Sequence, residues 1–187
     1  MPEAKPAIEE IQRIWEQAEC LRTEDQVSRA IDAIAAKIEK DLQHTNPLVL
    51  CVMKGGLVFC GQLLLRLPFP LEVDYLHATR YGQKTEGGEL EWIVDFSVDV
   101  KDRTILIVDD ILDRGQTLAA IVEQLQTLGA KQVKTAVLVD KQLSDPIPDR
   151  ITADYVAMKV EDRFLFGFGM DFKGYFRNAA GIYAAVV

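Results

Sequence analysis

The sequence predicts an α/β domain built on a doubly wound, mainly parallel sheet. Three observations carry that prediction. The short runs "LVLCVM" (48–53), "TILIV" (104–108) and the nearly apolar "VKTAVLV" (133–139) read as strands buried on both faces. The stretches between them carry apolar residues at helical spacing. The second run also leads into an acid-rich glycine turn that opens a helix, the place where open α/β sheets bind ligands.

The elements follow in order. Ile8, Ile11, Trp15, Ala18 and Leu21 lie at helical spacing, so a helix is expected over 8–21. Thr23 and Gln26 form a T-x-x-Q capping box. Val27, Ile31, Ile34, Ile38 and Leu42 then recur at steps of three and four until Asn46-Pro47 stops the pattern. Helices are expected at 57–67 and at 117–128, the latter closed by Gly129. "LEVDYLHA" (71–78) and "DYVAMKV" (154–160) read as further strands. Residues 80–90, "RYGQKTEGGEL", are polar and glycine-rich between extended stretches, which predicts a flexible lid. The aromatic, glycine-rich C-terminal part reads as a small cap over the sheet rather than another crossover unit.

A chain of 187 residues suits one domain, 1–187. Its 49% hydrophobic and 27% charged residues describe a soluble globular protein. No run approaches the ~18 apolar residues that span a bilayer, and "MPEAKPAIEEIQ" does not read as a secretory signal. Cys20, Cys51 and Cys60 lack metal-ligand spacing, so a reducing, cytoplasmic setting is expected. The net charge of −8 argues against a nucleic-acid partner but not against a phosphorylated substrate, which needs only a local positive site.

The informative string is "VDDILDRGQT", 108–117. Asp109 and Asp110 end a strand, where alternation predicts carboxylates on opposite sides. They suit sugar hydroxyls, or a hydrated Mg²⁺ carried by a polyphosphate. Asp113, Arg114, Gly115, Gln116 and Thr117 turn into a helix whose amides and dipole suit a phosphate. Acids beside anion-binding amides fit a sugar phosphate better than a bare nucleoside triphosphate. Neither G-x-x-x-x-G-K-[ST] nor a G-x-G-x-x-G opening the first helix occurs. An Asp-Asp pair alone is often no more than a helix cap at a solvated edge; the whole string is far more specific.

Five collinear stretches between 52 and 178 resemble the hypoxanthine-guanine phosphoribosyltransferases of the type I fold. "VDDILDRGQT" resembles their signature for phosphoribosyl diphosphate (PRPP), and "VMKGG" (52–56) their diphosphate loop. "VDYLHATRYG" (73–82) is similar to the strand leading to their lid. "VDKQ" (139–142) falls at their purine-reading lysine, and "DRFLFGFGMDFKGYFRN" (162–178) at the base-stacking segment. The resemblance implies a single domain with a small hood from the terminal segments. It implies Mg²⁺-dependent transfer of phosphoribose from PRPP to hypoxanthine or guanine, in a homo-dimer or homo-tetramer. It also implies roles by position. Asp109 and Asp110 would hold the ribose hydroxyls, with Asp109, Asp110 and Asp171 as candidate metal ligands. Residues 113–117 would wrap the 5′-phosphate, and Asp113 would be the base near purine N7. Lys54 and Gly55, preceded by a cis peptide, would meet the diphosphate with Arg177, and Arg80 would join them from the lid. Ile111, Lys141, Phe164, Leu165 and Asp171 would form the purine site, Lys141 donating to the 6-oxo group. Arg114 stands where the family commonly has Thr or Ser, and Asp140 puts a charge beside Lys141. The rivals are a xanthine-preferring or other type I enzyme, and an RNA-binding regulator of the same fold, which the net charge disfavours.

Overall fold

The computed structural model describes residues 6–80, 90–94 and 96–186. Its central sheet runs in the order β4 (Leu90–Val94), β3 (Glu72–Arg80), β2 (Leu48–Val52), β5 (Thr104–Leu112), β6 (Gln132–Gln142), β7 (Tyr155–Glu161). Neighbours from β3 to β7 pair in parallel, and β4 is antiparallel to β3. The apolar runs become the inner strands because both of their faces are covered. Val49, Cys51, Leu106 and Val108 pack with α2 (Glu24–Leu42) and α3 (Gly56–Leu64). Leu48, Leu50, Ile105 and Ile107 face the opposite way, onto Leu118, Ile121 and Leu125 of α4 (Gln116–Thr127). This is the expected doubly wound α/β sheet. The capping box at the start of α2 is formed in both directions, Thr23 with Gln26.

A second, three-stranded antiparallel sheet of β1 (Glu19–Arg22), β9 (Ile182–Ala184) and β8 (Leu165–Phe166) forms a hood from the two ends of the chain. Helix α1 (Ile8–Gln17) closes it, with Ile11 and Ile14 packed against Phe166, Phe172 and Ala185. The helix expected over 8–21 thus stops four residues early. Glu19 and Cys20 instead pair with Ala184 and Tyr183, so strand hydrogen bonds outweigh a helical spacing that Ala18 and Leu21 continue. Phe164, Phe166 and Phe168 do not share one environment. Phe166 and Phe168 are buried while Phe164, just before β8, is half exposed.

The hood packs into the main core through Leu165, Phe168, Met170, Ile182 and Ala184, and at Gly169 it approaches the β2–α3 loop backbone to backbone. Gly169 has φ 104°, and a Cβ there would collide with the carbonyl oxygen of Gly55 in the β2–α3 loop. Both the backbone angle and the contact demand glycine. Gly169→Ala is expected to destabilise the fold by about 3–5 kcal/mol, combining left-handed strain with overpacking. Urea unfolding of the two proteins measures this, and a loss below ~1 kcal/mol would mean that the hood is not seated on the loop.

Candidate functional site

The site lies at the carboxyl ends of β2, β3, β5 and β6, beneath the hood. It consists of two adjoining cavities. The larger, about 540 Å³, is lined by Lys54, Gly55, Asp109, Asp110, Asp113, Arg114, Gly115, Gln116, Thr117, Asp171 and Arg177, with His77 on its β3 side. All the residues expected to meet PRPP are here apart from Arg80, joined by Asp171, expected at the purine and metal sites, and by His77. The side chain of Arg80 and residues 81–89 of the expected lid lie outside the described residues. The smaller cavity, about 230 Å³, is lined by Ile111, Lys141, Phe164, Leu165 and Asp171, the expected purine set, together with Asp110, Asp113, Arg163 and Met170. Asp110, Ile111, Asp113 and Asp171 belong to both, so the cavities open onto one another.

Backbone geometry builds the phosphate side. Gly115 caps α4 with φ 79° and, having no side chain, offers no cap of its own to the first turn. Helix α2 has its own capping box. The N-terminus of α4 therefore keeps its positive end facing the larger cavity. Across from it, the Met53–Lys54 peptide is cis, as the resemblance implies. Lys54 is exposed at the rim, while Gly55 sits so close to Asp110 that a Cβ would strike its carboxylate.

The acidic pair departs from the expectation of opposed carboxylates. Asp109 and Asp110 line the same cavity and interact side chain to side chain, and the Asp109 carboxylate also accepts from the Asp110 amide at 2.9 Å. Alternation fixes only the initial direction of each side chain, so two adjacent carboxylates can still turn into one space at an open strand end. Strand β2 ends its pairing at Val108, so the last residues of β5 stand free on that side and both acids reach the same space. Burial, followed by the charge of Asp110, pushes Asp109 well above the ordinary carboxylate range. Burial also raises Asp110, opposed by its hydrogen bond with Asp109 and by the nearby Arg177.

A raised folded-state pKa means that the fold prefers the protonated acid. Its stabilising contribution is complete below the unfolded value, about pH 4, and is lost as pH rises through the folded value. Asp109→Asn should therefore match the wild type near pH 4 and exceed it by about 1 kcal/mol or more at neutral pH. That corresponds to a melting-temperature gain of roughly 2–4 °C, read by thermal unfolding of the ligand-free proteins. Equal pH dependence in the two would remove the buried acid pair from the account.

On the base side, Lys141 is mostly buried. Its Nζ lies 3.0 Å from Asp162 Oδ1 and 3.7 Å from Asp113 Oδ1. The other oxygen of Asp162 accepts from the Ser144 amide at 3.1 Å, and this amide, with the Lys141 ammonium, lowers the pKa of Asp162. Phe164 presents a half-exposed ring, held edge-on by Phe172 at 5.4 Å. Asp171 and Arg177 form an ion pair. Asp171 also accepts from the Gly174 amide, and Arg177 donates to the Gly169 carbonyl, both at 2.6 Å. Sequence reasoning missed Asp162 and Arg150. Asp162 sits 21 residues from Lys141, and Arg150 lies in the polar segment "SDPIPDR", which reads as a linker. Asp162 opens the base-stacking segment 162–178 without a role of its own there, and no local pattern ties Arg150 to the site.

An acidic strand end, an uncapped helix N-terminus beside it and a hood closing over both define the class: this is the type I phosphoribosyltransferase fold. A model of the phosphoribosyl transferase domain matches residues 19–173. The chain is 34% identical over 159 residues to a hypoxanthine-guanine phosphoribosyltransferase of Bacillus subtilis (strain 168), covering 84% of this chain and 87% of that protein. It is 30% identical over 173 residues to a hypoxanthine-guanine-xanthine phosphoribosyltransferase of Tritrichomonas foetus, covering 92% and 91%. The crystal structure of a hypoxanthine phosphoribosyltransferase from Staphylococcus aureus superposes with a TM-score of 0.82 at 29% identity, covering 90% of this chain and 91% of that one. The chain belongs to the phosphoribosyltransferase family. Among the described residues, no helix is long and apolar enough to cross a membrane.

Proposed function

We propose that this phosphoribosyltransferase transfers the 5-phosphoribosyl group of PRPP to N9 of a 6-oxopurine, giving a nucleoside monophosphate and diphosphate. One observation carries the reading. Asp113 lines both cavities and stands 3.7 Å from Lys141, setting an acceptor beside a cationic donor. A 6-oxopurine offers the complementary pair on one edge, a protonated N7 beside a carbonyl oxygen. Adenine would bring its 6-amino group donor to donor against Lys141. A buried donor left unpaired costs about 1–3 kcal/mol, and more when charged, which is strong discrimination.

In this reading the 5′-phosphate sits on the amides of 113–117 and the Thr117 hydroxyl, and the ribose hydroxyls on Asp109 and Asp110. The half-exposed face of Phe164 stacks on the base, and the Leu165 carbonyl lies near the purine 2-position. As N9 attacks C1′ and the bond to diphosphate breaks, negative charge grows on the leaving group. Lys54, Arg177 and the loop amides face that charge. Asp113 accepts the proton from N7 as N9 bonds to C1′, leaving the neutral nucleoside monophosphate.

Asp109, Asp110 and Asp171 offer only oxygen donors. The acid pair is buried with Arg177 as its nearby cation, a setting that suits a hard cation such as Mg²⁺. Among the described residues, no three acidic, histidine or cysteine side chains converge as a metal cluster. Asp109, Asp110 and Asp171 would supply the protein's oxygen ligands, the remainder coming from substrate or water. Mg²⁺, when bound, neutralises diphosphate charge. For Asp171 to join it, the carboxylate must first leave Arg177, which also frees that guanidinium for the diphosphate.

The test is turnover with PRPP, Mg²⁺ and each of hypoxanthine, guanine, xanthine and adenine. The reading expects product with at least one 6-oxopurine and none with adenine. Activity with xanthine alone would give the enzyme a different base preference. Activity with adenine, or with no base at all, would contradict the proposal.

A further inference from the structure

We infer that Arg150 is a positioning residue for PRPP, a brace that sets the phosphate turn from behind; this rests on the proposed function. Arg150 touches neither cavity's PRPP-facing surface. Its Nε donates to the Asp113 carbonyl at 2.6 Å. Its Nη2 is shared among the Leu112 carbonyl at 2.5 Å, Asp140 Oδ1 at 2.9 Å and the Lys141 carbonyl at 3.3 Å. The side chain is 18% exposed and that of Asp140 14%, so the cluster is largely shielded from water. The aliphatic stem passes behind Gly115, where a Cβ would meet Ile151 and the Arg150 Cγ.

The consequence follows from peptide planarity. In a trans peptide the C=O and the next N–H point in opposite directions. Pinning the Leu112 carbonyl toward Arg150 turns the Asp113 N–H away from it, and pinning the Asp113 carbonyl does the same for the Arg114 N–H. The side away from Arg150 is the larger cavity. The guanidinium thus fixes, from outside, the direction of the amides proposed to receive the 5′-phosphate. Its bonds to Asp140 and Lys141 tie the end of β5 to the end of β6, and hence the phosphate half of the site to the base half. They also account for Asp140 beside Lys141. The acid is engaged by Arg150, which leaves Lys141 to Asp113 and Asp162. Nε and Nη2 hold the two successive carbonyls of the turn at once, a planar fork that a single ammonium nitrogen does not reproduce.

The experiment measures PRPP binding by calorimetry, and KM and kcat for both substrates, in the wild type and in Arg150→Ala, Arg150→Lys and Asp140→Asn. Wild-type protein that fails to bind PRPP would sink the phosphoribosyl reading itself, whatever Arg150 does. With binding established, Arg150→Ala is expected to weaken PRPP roughly 10- to 100-fold while kcat at saturation falls much less. Arg150→Lys should give little rescue, and added methylguanidinium should partly restore Arg150→Ala. Asp140→Asn, which keeps the carbonyl bonds and is the gentler change for the fold, should weaken PRPP by a smaller factor. The brace is overturned if PRPP affinity is unchanged in Arg150→Ala. It is also overturned if both KM values rise while kcat and thermal stability fall together with no rescue by methylguanidinium, the signature of a purely structural residue.

Discussion

Asp113→Asn is expected to lower turnover by about 10²–10⁴-fold, the range for removal of a positioned acid or base. PRPP binding should stay within roughly threefold of the wild type, because the change removes a carboxylate but keeps the backbone amide. The split follows from the position of Asp113. Its main chain belongs to the phosphate turn, while its half-exposed side chain leans toward Lys141 and the smaller cavity. Asparagine fills the same space and can still pair weakly with the lysine, so packing changes little. Single-turnover rates with PRPP bound, alongside calorimetric PRPP affinity, separate the two roles. Undiminished turnover would remove Asp113 as the base, and a parallel loss of PRPP binding would make it a ligand of the sugar phosphate instead.

Lys141→Ala is expected to raise KM for the 6-oxopurine by about 10²-fold or more while changing PRPP affinity far less. The truncation removes the donor for the 6-oxo group and leaves Asp113 as an uncompensated carboxylate facing the base. The purine carbonyl would then enter a site of the wrong sign. Steady-state kinetics with each substrate varied in turn reads the effect. Equal losses toward both substrates would reduce Lys141 to a structural ion-pair partner of Asp162.

The parts legible in the sequence were those written locally. Buried strands announce themselves as unbroken apolar runs, and the runs at 48–53, 104–108 and 133–139 fall on β2, β5 and β6. Their ends were less legible. β5 continues through Asp109 and Asp110 to Leu112, because its ladder with β6 persists to the Leu112–Asp140 pair after the apolar residues end. The two acids meeting rather than diverging has the same origin, the early end of β2 on the other side. The string 108–117 and the segment 162–178 gave most of the residues of both cavities, and the motifs at 52–56 and 139–142 added Lys54, Gly55 and Lys141, since main-chain turns and collinear motifs survive in sequence. The supports did not. Asp162 holding Lys141, and Arg150 holding the phosphate turn, are contacts across 21 and 37 or 38 residues that only the fold creates.

The central claim is that the turn after β5 receives a phosphorylated pentose, with amides on the phosphoryl group and acids on the sugar. The most direct measurement is a crystal structure of the protein with PRPP, or with the nucleoside monophosphate product, and Mg²⁺. The account predicts phosphoryl oxygens within hydrogen-bond reach of the amides of 113–117 and ribose hydroxyls on Asp109 and Asp110. A ligand seated elsewhere, with Asp109 and Asp110 still turned only toward each other, would contradict it.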